Sequence, residues 1–174
     1  MNNIFTMWLT GLSGAGKSTL AEEVAKYLQE EGRKVQILDG DIIRNDIGHL
    51  FGYSKEERIK MSKVIRLVAR VLNNNGVSVI VAAIAPYEEM RDAVRSNLHN
   101  YMEVYVNCSL DECIRRDTKG LYQKALRGDM QHVVGIDDIY EIPRNFDVEV
   151  RTSEESIPES VMKIIKCLES KFPL

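Results

Sequence analysis

The chain has 174 residues, of which 44% are hydrophobic and 28% are charged, and its formal net charge is −3 at pH 7. This length and composition predict a single domain, residues 1–174, with a substantial apolar core. A slightly acidic chain without a basic tail is a poor candidate for wrapping nucleic acid. Any phosphate group would therefore have to be bound at a local site.

Membrane insertion, secretion and disulfide bonding are not expected for this chain. No apolar run reaches the roughly 18–20 residues that a membrane helix requires. The N-terminal segment lacks the basic start and the small-residue cleavage site of a secretory signal. Cys108, Cys113 and Cys167 are odd in number and lack metal-ligand spacing, which favours free thiols in a reducing compartment. We therefore expect a soluble cytoplasmic protein with no membrane and no nucleic-acid partner.

The hydrophobic pattern alternates strands with helices along the chain. The predicted strands cover residues 4–10, 35–38, 77–84, 102–107 and 146–150. The predicted helices run from a glycine-rich turn to Gly32, and then over about 65–72, 87–98, 110–116 and 158–170. This alternation predicts an α/β fold with a mainly parallel, five-stranded sheet flanked by helices. Residues 118–145 are polar and glycine-containing, which indicates a mobile flap.

The glycine-rich turn after the first strand is the most informative segment of the sequence. Its residues, Gly11-Leu12-Ser13-Gly14-Ala15-Gly16-Lys17-Ser18, match the pattern G-x-x-x-x-G-K-[ST] at every fixed position. Glycines allow successive backbone N–H groups to turn toward phosphate oxygens, and the following helix adds its positive N-terminal end. A turn that merely joins a strand to a helix is the alternative, but the strand, loop and helix context favours a phosphate-binding loop.

The loop predicts a nucleoside triphosphate ligand. Lys17 is expected to reach the β and γ phosphates, and the Ser18 hydroxyl is expected to ligate Mg²⁺. The residues expected to hold ATP in and after the loop are Gly11, Ser13, Gly14, Ala15, Gly16, Lys17, Ser18 and Thr19. A GTPase would show an Asn-Lys-x-Asp motif, and an ATPase would place an acidic pair at the end of a buried strand. The sequence shows neither pattern, so a small-molecule kinase is favoured.

Charged residues after the second predicted strand indicate an acceptor site. Asp39 and Asp41 follow that strand, and the carboxyl ends of parallel strands are where open α/β sheets bind ligands. One carboxylate could hold a metal-bound water while the other accepts a hydroxyl proton, although Asp-Gly-Asp is also ordinary turn chemistry. Arg44 and Arg58 are candidates for gripping a phosphate on the acceptor, because a guanidinium binds such oxygens bidentately.

At this point the sequence resembles the adenylyl-sulfate kinases over about residues 7–143. The similarity rests on the phosphate loop and on further ordered matches along the chain. These are Leu38-Asp39-Gly40-Asp41 with Arg44, Gly52-Tyr53-Ser54 with Arg58, Pro86-Tyr87 with Arg91-Asp92, Arg116-Asp117 with Lys119-Gly120-Leu121-Tyr122 and Lys124-Ala125, Gly135-Ile136-Asp137, and Tyr140-Glu141 with Pro143.

The resemblance implies a P-loop kinase that transfers the γ-phosphoryl group of ATP to the ribose 3′-hydroxyl of a small nucleotide. It implies that Asp41 is the catalytic base and a Mg²⁺ helper, with Lys17 as the second catalytic residue. It also implies a lid over about residues 116–143, with Arg116 and Lys119 facing phosphates, and a homodimer. The acceptor is expected to contact Asp39, Arg44, Tyr53, Arg58, Met61, Ile84, Lys124, Val133, Gly135 and Ile136.

Departures from the family pattern cluster on the acceptor side. Met61 replaces an asparagine, Glu88 replaces an arginine, and Val133 replaces a phenylalanine that would stack on adenine. Stacking a base on an aromatic ring is worth roughly 1–3 kcal/mol, so an adenine site is expected to be weaker here. Three readings stay open: an adenylyl-sulfate kinase, a kinase of cytidine diphosphoramidate as in bacterial capsule pathways, and a catalytically silent nucleotide-binding regulator.

Overall fold

Five parallel strands form the centre of the fold in the computed structural model, which describes residues 3–172. The strands are β1 (Thr6–Thr10), β2 (Val35–Asp39), β3 (Ser78–Ala82), β4 (Tyr101–Asn107) and β5 (Val148–Arg151). They lie in the order β2-β3-β1-β4-β5, and each neighbouring pair is parallel. The predicted α/β fold with a parallel five-stranded sheet is therefore confirmed.

Helices connect the strands and cover both faces of the sheet. They are α1 (Lys17–Glu30), α2 (Gly40–Ile47), α3 (Lys55–Asn74), α4 (Glu88–Arg95), α5 (Leu110–Arg116), α6 (Leu121–Leu126) and α7 (Ile157–Lys171), with a 3-10 turn at Gly48–Leu50. Within residues 3–172 no helix combines the length and the hydrophobicity that crossing a membrane demands.

The sheet separates two apolar cores because side chains alternate between its faces. Met7 and Leu9 of β1 point to one core, which α1, α5 and α7 cover. Trp8, between them in the sequence, points to the other core, where α3 contributes Met61 and Ile65. Burial on both faces explains why β1 and β3 read as continuous apolar runs.

Three helical features differ from the sequence prediction. Helix α3 begins at Lys55, ten residues before the predicted start at 65, because Ser54 caps it by accepting a hydrogen bond from the Glu57 N–H at 3.4 Å. Helix α2 was not predicted, and Asp39 begins it as the N-cap. Helix α6 lies inside the segment that the polar composition indicated as a flap.

The carboxyl ends of neighbouring strands bring the candidate site together. Strand β1 leads into the phosphate loop and α1, while β2, two positions away in the sheet, ends at Asp39 and leads into α2. The chain after β3, which lies between them, supplies Ile84 at the same edge. This edge is where parallel α/β sheets position ligands.

Candidate active site

The backbone of the phosphate loop requires glycine at two positions. A Cβ atom at Gly11 would overlap the backbone carbonyl oxygen of Val106 in β4. Gly16 is the N-cap of α1 and has a φ of 99°, which lies in the left-handed region that side chains disfavour. The loop can therefore pass close to the backbone of β4 and still turn into α1.

Lys17 folds back across this loop. Its Nζ donates hydrogen bonds to the carbonyl oxygens of Gly11 at 3.0 Å and Leu12 at 2.7 Å. Burial lowers the pKa of Lys17 to about 8, since desolvation disfavours the charged ammonium; the nearby Asp41 carboxylate opposes part of that effect. The ammonium is thus held on the backbone of the loop, and Lys17 lines the cavity that opens beside it.

Asp39 organises the start of α2 and the Ser18 hydroxyl. Its Oδ1 accepts hydrogen bonds from the N–H groups of Asp41 at 2.8 Å and Ile42 at 3.4 Å. Its Oδ2 accepts a hydrogen bond from Ser18 Oγ at 2.6 Å. Asp39 is nearly buried and does not line either of the cavities described next, although the sequence placed it among the acceptor contacts.

Two adjoining cavities open at this edge of the sheet. The phosphate-loop cavity has a volume of about 300 Å³ and is lined by Ser13, Gly14, Gly16, Lys17, Ser18, Thr19, Asp41, Ile84, Arg116, Thr118 and Lys119. The Tyr53 cavity has a volume of about 350 Å³ and is lined by Ser13, Asp41, Arg44, Asn45, Tyr53, Arg58, Ile84, Lys119, Leu121, Met130, Gln131, His132, Val133 and Val134.

Asp41 lies on the boundary between the two cavities and lines both. Its side chain is 60% exposed and forms an ion pair with Lys119. Lys119 also lines both cavities, so a carboxylate and an ammonium meet at the junction. Groups bound in the two cavities could both approach this pair, which suits transfer of a phosphoryl group from one ligand to another.

Two arginines position the walls of the Tyr53 cavity. Arg44 donates to the Gly52 carbonyl at 3.1 Å, and its guanidinium carbon lies 4.3 Å from the centre of the Tyr53 ring. Arg58 donates from Nε to the Tyr53 carbonyl at 2.9 Å and from Nη2 to the His132 carbonyl at 2.7 Å. Arg58 therefore links the two opposite walls, and Tyr53, 45% exposed, keeps part of its ring open to the cavity.

The remaining acceptor candidates divide into two groups. Val133 and Ile84 line the Tyr53 cavity, whereas Met61 lines a smaller adjoining cavity of about 70 Å³ that Arg44 and Arg58 also border. The structure does not bring Lys124, Gly135 or Ile136 into these cavities.

The reason lies in their surroundings. Lys124 is exposed on α6. Gly135 lies against Leu110, since an added Cβ would come within 2.9 Å of the Leu110 Cδ1 atom. Ile136 packs against the core cluster that lies beneath the phosphate loop.

Several residues at the site were not predicted from the sequence. Thr152 donates from Oγ1 to the Ala15 carbonyl at 2.7 Å, and its own carbonyl accepts from Arg116 Nη2 at 2.8 Å. Tyr122 donates to the Ser13 carbonyl at 2.9 Å. The sequence could have indicated Tyr122, because it lies inside a motif that matches the adenylyl-sulfate kinases. Thr152 lies far outside any motif, so nothing in the sequence indicated its role. His132 lines the Tyr53 cavity and was not among the residues predicted for the site.

A phosphate loop, a second cavity at the same sheet edge and a carboxylate bordering both define a P-loop phosphotransferase. The family model described as adenylylsulphate kinase matches residues 3–151. The chain belongs to that family.

The chain is similar to known adenylyl-sulfate kinases over nearly its whole length. The adenylyl-sulfate kinase of Picosynechococcus is 47% identical over 163 residues, 94% of this chain and 92% of that protein. The structure of the APS kinase of Mycobacterium tuberculosis in complex with AMPPNP and APS has a TM-score of 0.92 at 37% identity, covering 97% of this chain and 99% of that one. The hexameric APS kinase of Thiobacillus denitrificans has a TM-score of 0.72 at 32% identity, covering 98% of this chain and 29% of that one.

Proposed function

We propose that the chain is an adenylyl-sulfate kinase, which transfers the γ-phosphoryl group of ATP to the ribose 3′-hydroxyl of adenylyl sulfate. The observation that carries the proposal is the position of Asp41 on the boundary of the two cavities. The phosphate-loop cavity takes ATP and becomes the donor side. The Tyr53 cavity takes the nucleotide acceptor, whose hydroxyl then lies beside Asp41.

The donor side supplies the groups that phosphoryl transfer requires. Backbone N–H groups of the loop and the Lys17 ammonium face the phosphates, and Arg116 and Lys119 line the same cavity from the lid segment. Ser18 and Asp41 would hold Mg²⁺, which would neutralise charge on the phosphate oxygens. Their hydroxyl and carboxylate oxygens are ligands that this ion accepts, and Asp39 fixes the Ser18 hydroxyl from behind.

Asp41 is the proposed general base. Its carboxylate accepts the proton of the 3′-hydroxyl while the hydroxyl oxygen forms a bond to the γ phosphorus. The bond between that phosphorus and the β–γ bridging oxygen breaks, and the electron pair leaves with ADP. An exposed carboxylate at the junction of the two cavities suits this role, because ligands in both cavities can approach it.

The acceptor side suits a nucleotide. Tyr53 offers an aromatic face to the base, and Val133 lies on another wall of the same cavity. The guanidinium groups of Arg44 and Arg58 border the cavity and favour a negatively charged acceptor. The family relatives support adenylyl sulfate; they give no support to cytidine diphosphoramidate or to a silent regulator.

Phosphorus-31 NMR tests the acceptor directly. The purified chain is incubated with Mg-ATP and, in separate tubes, with adenylyl sulfate, cytidine diphosphoramidate or plain AMP. We expect ADP and a new 3′-phosphomonoester signal in the adenylyl sulfate tube. Absence of a 3′-phosphate with every acceptor would sink the kinase proposal, and a signal only with cytidine diphosphoramidate would overturn the assigned acceptor.

Asp41→Asn tests the base. The amide keeps the shape of the side chain but cannot accept the hydroxyl proton, so we expect kcat to fall by about 10²–10⁴-fold while ATP binding stays within about threefold. Asp46→Asn, an exposed carboxylate on the same helix outside both cavities, is the matched control. Steady-state kinetics and calorimetry measure the two quantities, and unchanged turnover would remove Asp41 from the mechanism.

Three further assignments belong to the proposal. Residues 116–143 act as the lid of a single kinase domain, and the protein is located in the cytoplasm. The chain also forms a homodimer. An exposed apolar face on α3, made by Leu67, Val68 and Val71 at exposures of 50%, 39% and 52%, supports a contact between copies.

A further inference from the structure

Two buried tyrosine hydroxyls fasten the lid segment, residues 116–143, to the rest of the molecule. Tyr122, within the segment, donates to the Ser13 carbonyl of the phosphate loop at 2.9 Å. Tyr87, just before α4, donates to the two carboxylate oxygens of Asp138 at 2.9 and 2.8 Å. The exposed fractions of Tyr122 and Tyr87 are 1% and 2%, so both tyrosine side chains are buried and their hydrogen bonds are at least partly shielded from water.

The first half of the lid, residues 116–127, is tied to the phosphate loop. Besides the bond from Tyr122, Arg116 donates to the Gly14 carbonyl at 3.3 Å. The Asp117 carboxylate begins α6 by accepting the N–H groups of Tyr122 at 3.2 Å and Gln123 at 3.0 Å. A shift of this half would displace Ser13 and Gly14, which border the phosphate-loop cavity.

The second half, residues 132–141, is tied to different elements. The Asp138 carboxylate, besides accepting from Tyr87, lies 3.5 Å from Arg58 of α3. The Glu141 N–H donates to the Pro86 carbonyl at 2.8 Å, and the buried Arg91 of α4 donates to the Glu141 carbonyl at 2.7 Å. None of these hydrogen-bonding groups belongs to the phosphate loop, which the second half approaches through an apolar contact at Gly135, where an added Cβ would lie 3.4 Å from Leu12 Cδ2.

The second half supplies His132, Val133 and Val134 to the wall of the Tyr53 cavity, and Lys119 and Leu121 of the first half also border that cavity. The Asp137 carboxylate accepts the N–H groups of His132 and Val133, both at 2.7 Å. Asp138, the next residue, carries the bond from Tyr87. Between the halves lies Gly128, with a φ of 79° and open space around it, followed by the exposed Asp129.

We propose that the lid consists of two separately anchored halves, with Tyr122 as the positioning residue for the donor side and Tyr87 as the positioning residue for the acceptor wall. This inference rests on the proposed kinase function. Both tyrosines act through the backbone or carboxylate that they hold. The two halves pack against the same apolar core, because Tyr122, Val133 and the partly buried Leu110 belong to one core cluster.

Kinetics of two matched variants test the division. Tyr122→Phe should raise KM for ATP about tenfold and KM for adenylyl sulfate by at most about threefold, since Ser13 and Leu121 also border the Tyr53 cavity. Tyr87→Phe should raise KM for adenylyl sulfate about tenfold and leave KM for ATP within about twofold; a tenfold change is a usual result of losing one buried hydrogen bond. Asp138→Asn, which weakens the same anchor, should follow Tyr87→Phe. Leu110→Ala, in the core cluster against which both halves pack, should raise both KM for ATP and KM for adenylyl sulfate. Equal changes of both constants in each tyrosine variant would overturn the proposal.

Amide hydrogen exchange separates this test from the proposed function. If the parent enzyme does not phosphorylate adenylyl sulfate, the function fails, but exchange of the variants without substrates still examines the lid. Tyr87→Phe should accelerate exchange over residues 132–139 only, and Tyr122→Phe over 117–126 only, with the amides of β1 and β3 remaining protected. If either variant accelerated amide exchange in both halves, the two anchors would not be separate. If neither variant accelerated exchange in any part of the segment, the tyrosines would not be anchors.

Discussion

At the scale of a single residue, the protonation of Lys17 is expected to respond to a bound phosphate. Its ammonium rests on two loop carbonyls, and burial lowers its pKa to about 8. Negative phosphate oxygens would favour the charged form and raise that pKa again. Protonation of Lys17 and binding of the donor should therefore be linked.

This linkage gives a pH dependence whose sign can be stated. Below about pH 8 Lys17 is already protonated, so ATP binds without proton uptake; above it the free protein must take up a proton to bind. ATP affinity should then weaken as pH rises above about 8. Calorimetry at pH 8.5 in two buffers of different ionisation enthalpy should show different heats, and Lys17→Met should remove the difference. Identical heats for the parent protein would contradict the prediction.

Other single residues show which parts of the site could be predicted from the sequence. The phosphate loop could be recognised from the sequence, because its geometry depends on eight consecutive residues. Gly11 and Ala15, which the sequence placed among the ATP contacts, do not line the phosphate-loop cavity. The role of Asp39 was predicted less well. From the sequence it was an acceptor contact, whereas in the structure it caps α2 and holds the Ser18 hydroxyl. An aspartate after a strand suits both roles, and only the fold of the next residues separates them.

At the scale of elements, the lid segment decides the shape of the Tyr53 cavity. Residues 132–134 form one wall, and α2 with the residues that follow it forms the other. The polar sequence of the segment did not predict α6 inside it, because a helix of six residues has too short an apolar pattern to detect. Asp117 and Gly120 start this helix by local capping and turn geometry.

Val133 tests the contribution of the lid wall to the acceptor site. Val133→Phe should lower KM for adenylyl sulfate about tenfold or more, because a ring there can stack on the adenine base with roughly 1–3 kcal/mol. Val133→Leu is the control, since it adds apolar bulk without an aromatic face. Steady-state kinetics with saturating ATP measure the effect. If both variants change KM equally, stacking is not the cause.

At the scale of the whole molecule, the exposed apolar face of α3 bears on whether copies of the chain associate. Leu67 and Val71 lie one turn apart on this helix, and Val68 is beside them. Apolar side chains grouped on one helix face indicate a contact with another chain. The hexameric relative shows that members of the family form assemblies.

Light scattering coupled to size-exclusion chromatography tests this face. The parent protein should have twice the 19.8 kDa mass of one chain. Leu67→Glu places a charge in the proposed contact and should shift the population toward the single chain. Leu126→Glu, at an exposed leucine of the lid, should leave the mass unchanged. A single-chain mass for the parent protein would contradict the homodimer.

The sequence by itself determined the fold class, the phosphate loop and the family. These depend on the alternation of apolar strands and helices and on motifs whose residues are neighbours in the chain, so their physics is local. The tertiary structure alone decided which residues line the Tyr53 cavity. Arg58 and the His132 carbonyl are 74 positions apart, and Tyr87 and Asp138 are 51 apart. No local preference encodes such contacts; they exist only because the packed sheet and its helices hold distant segments at one edge.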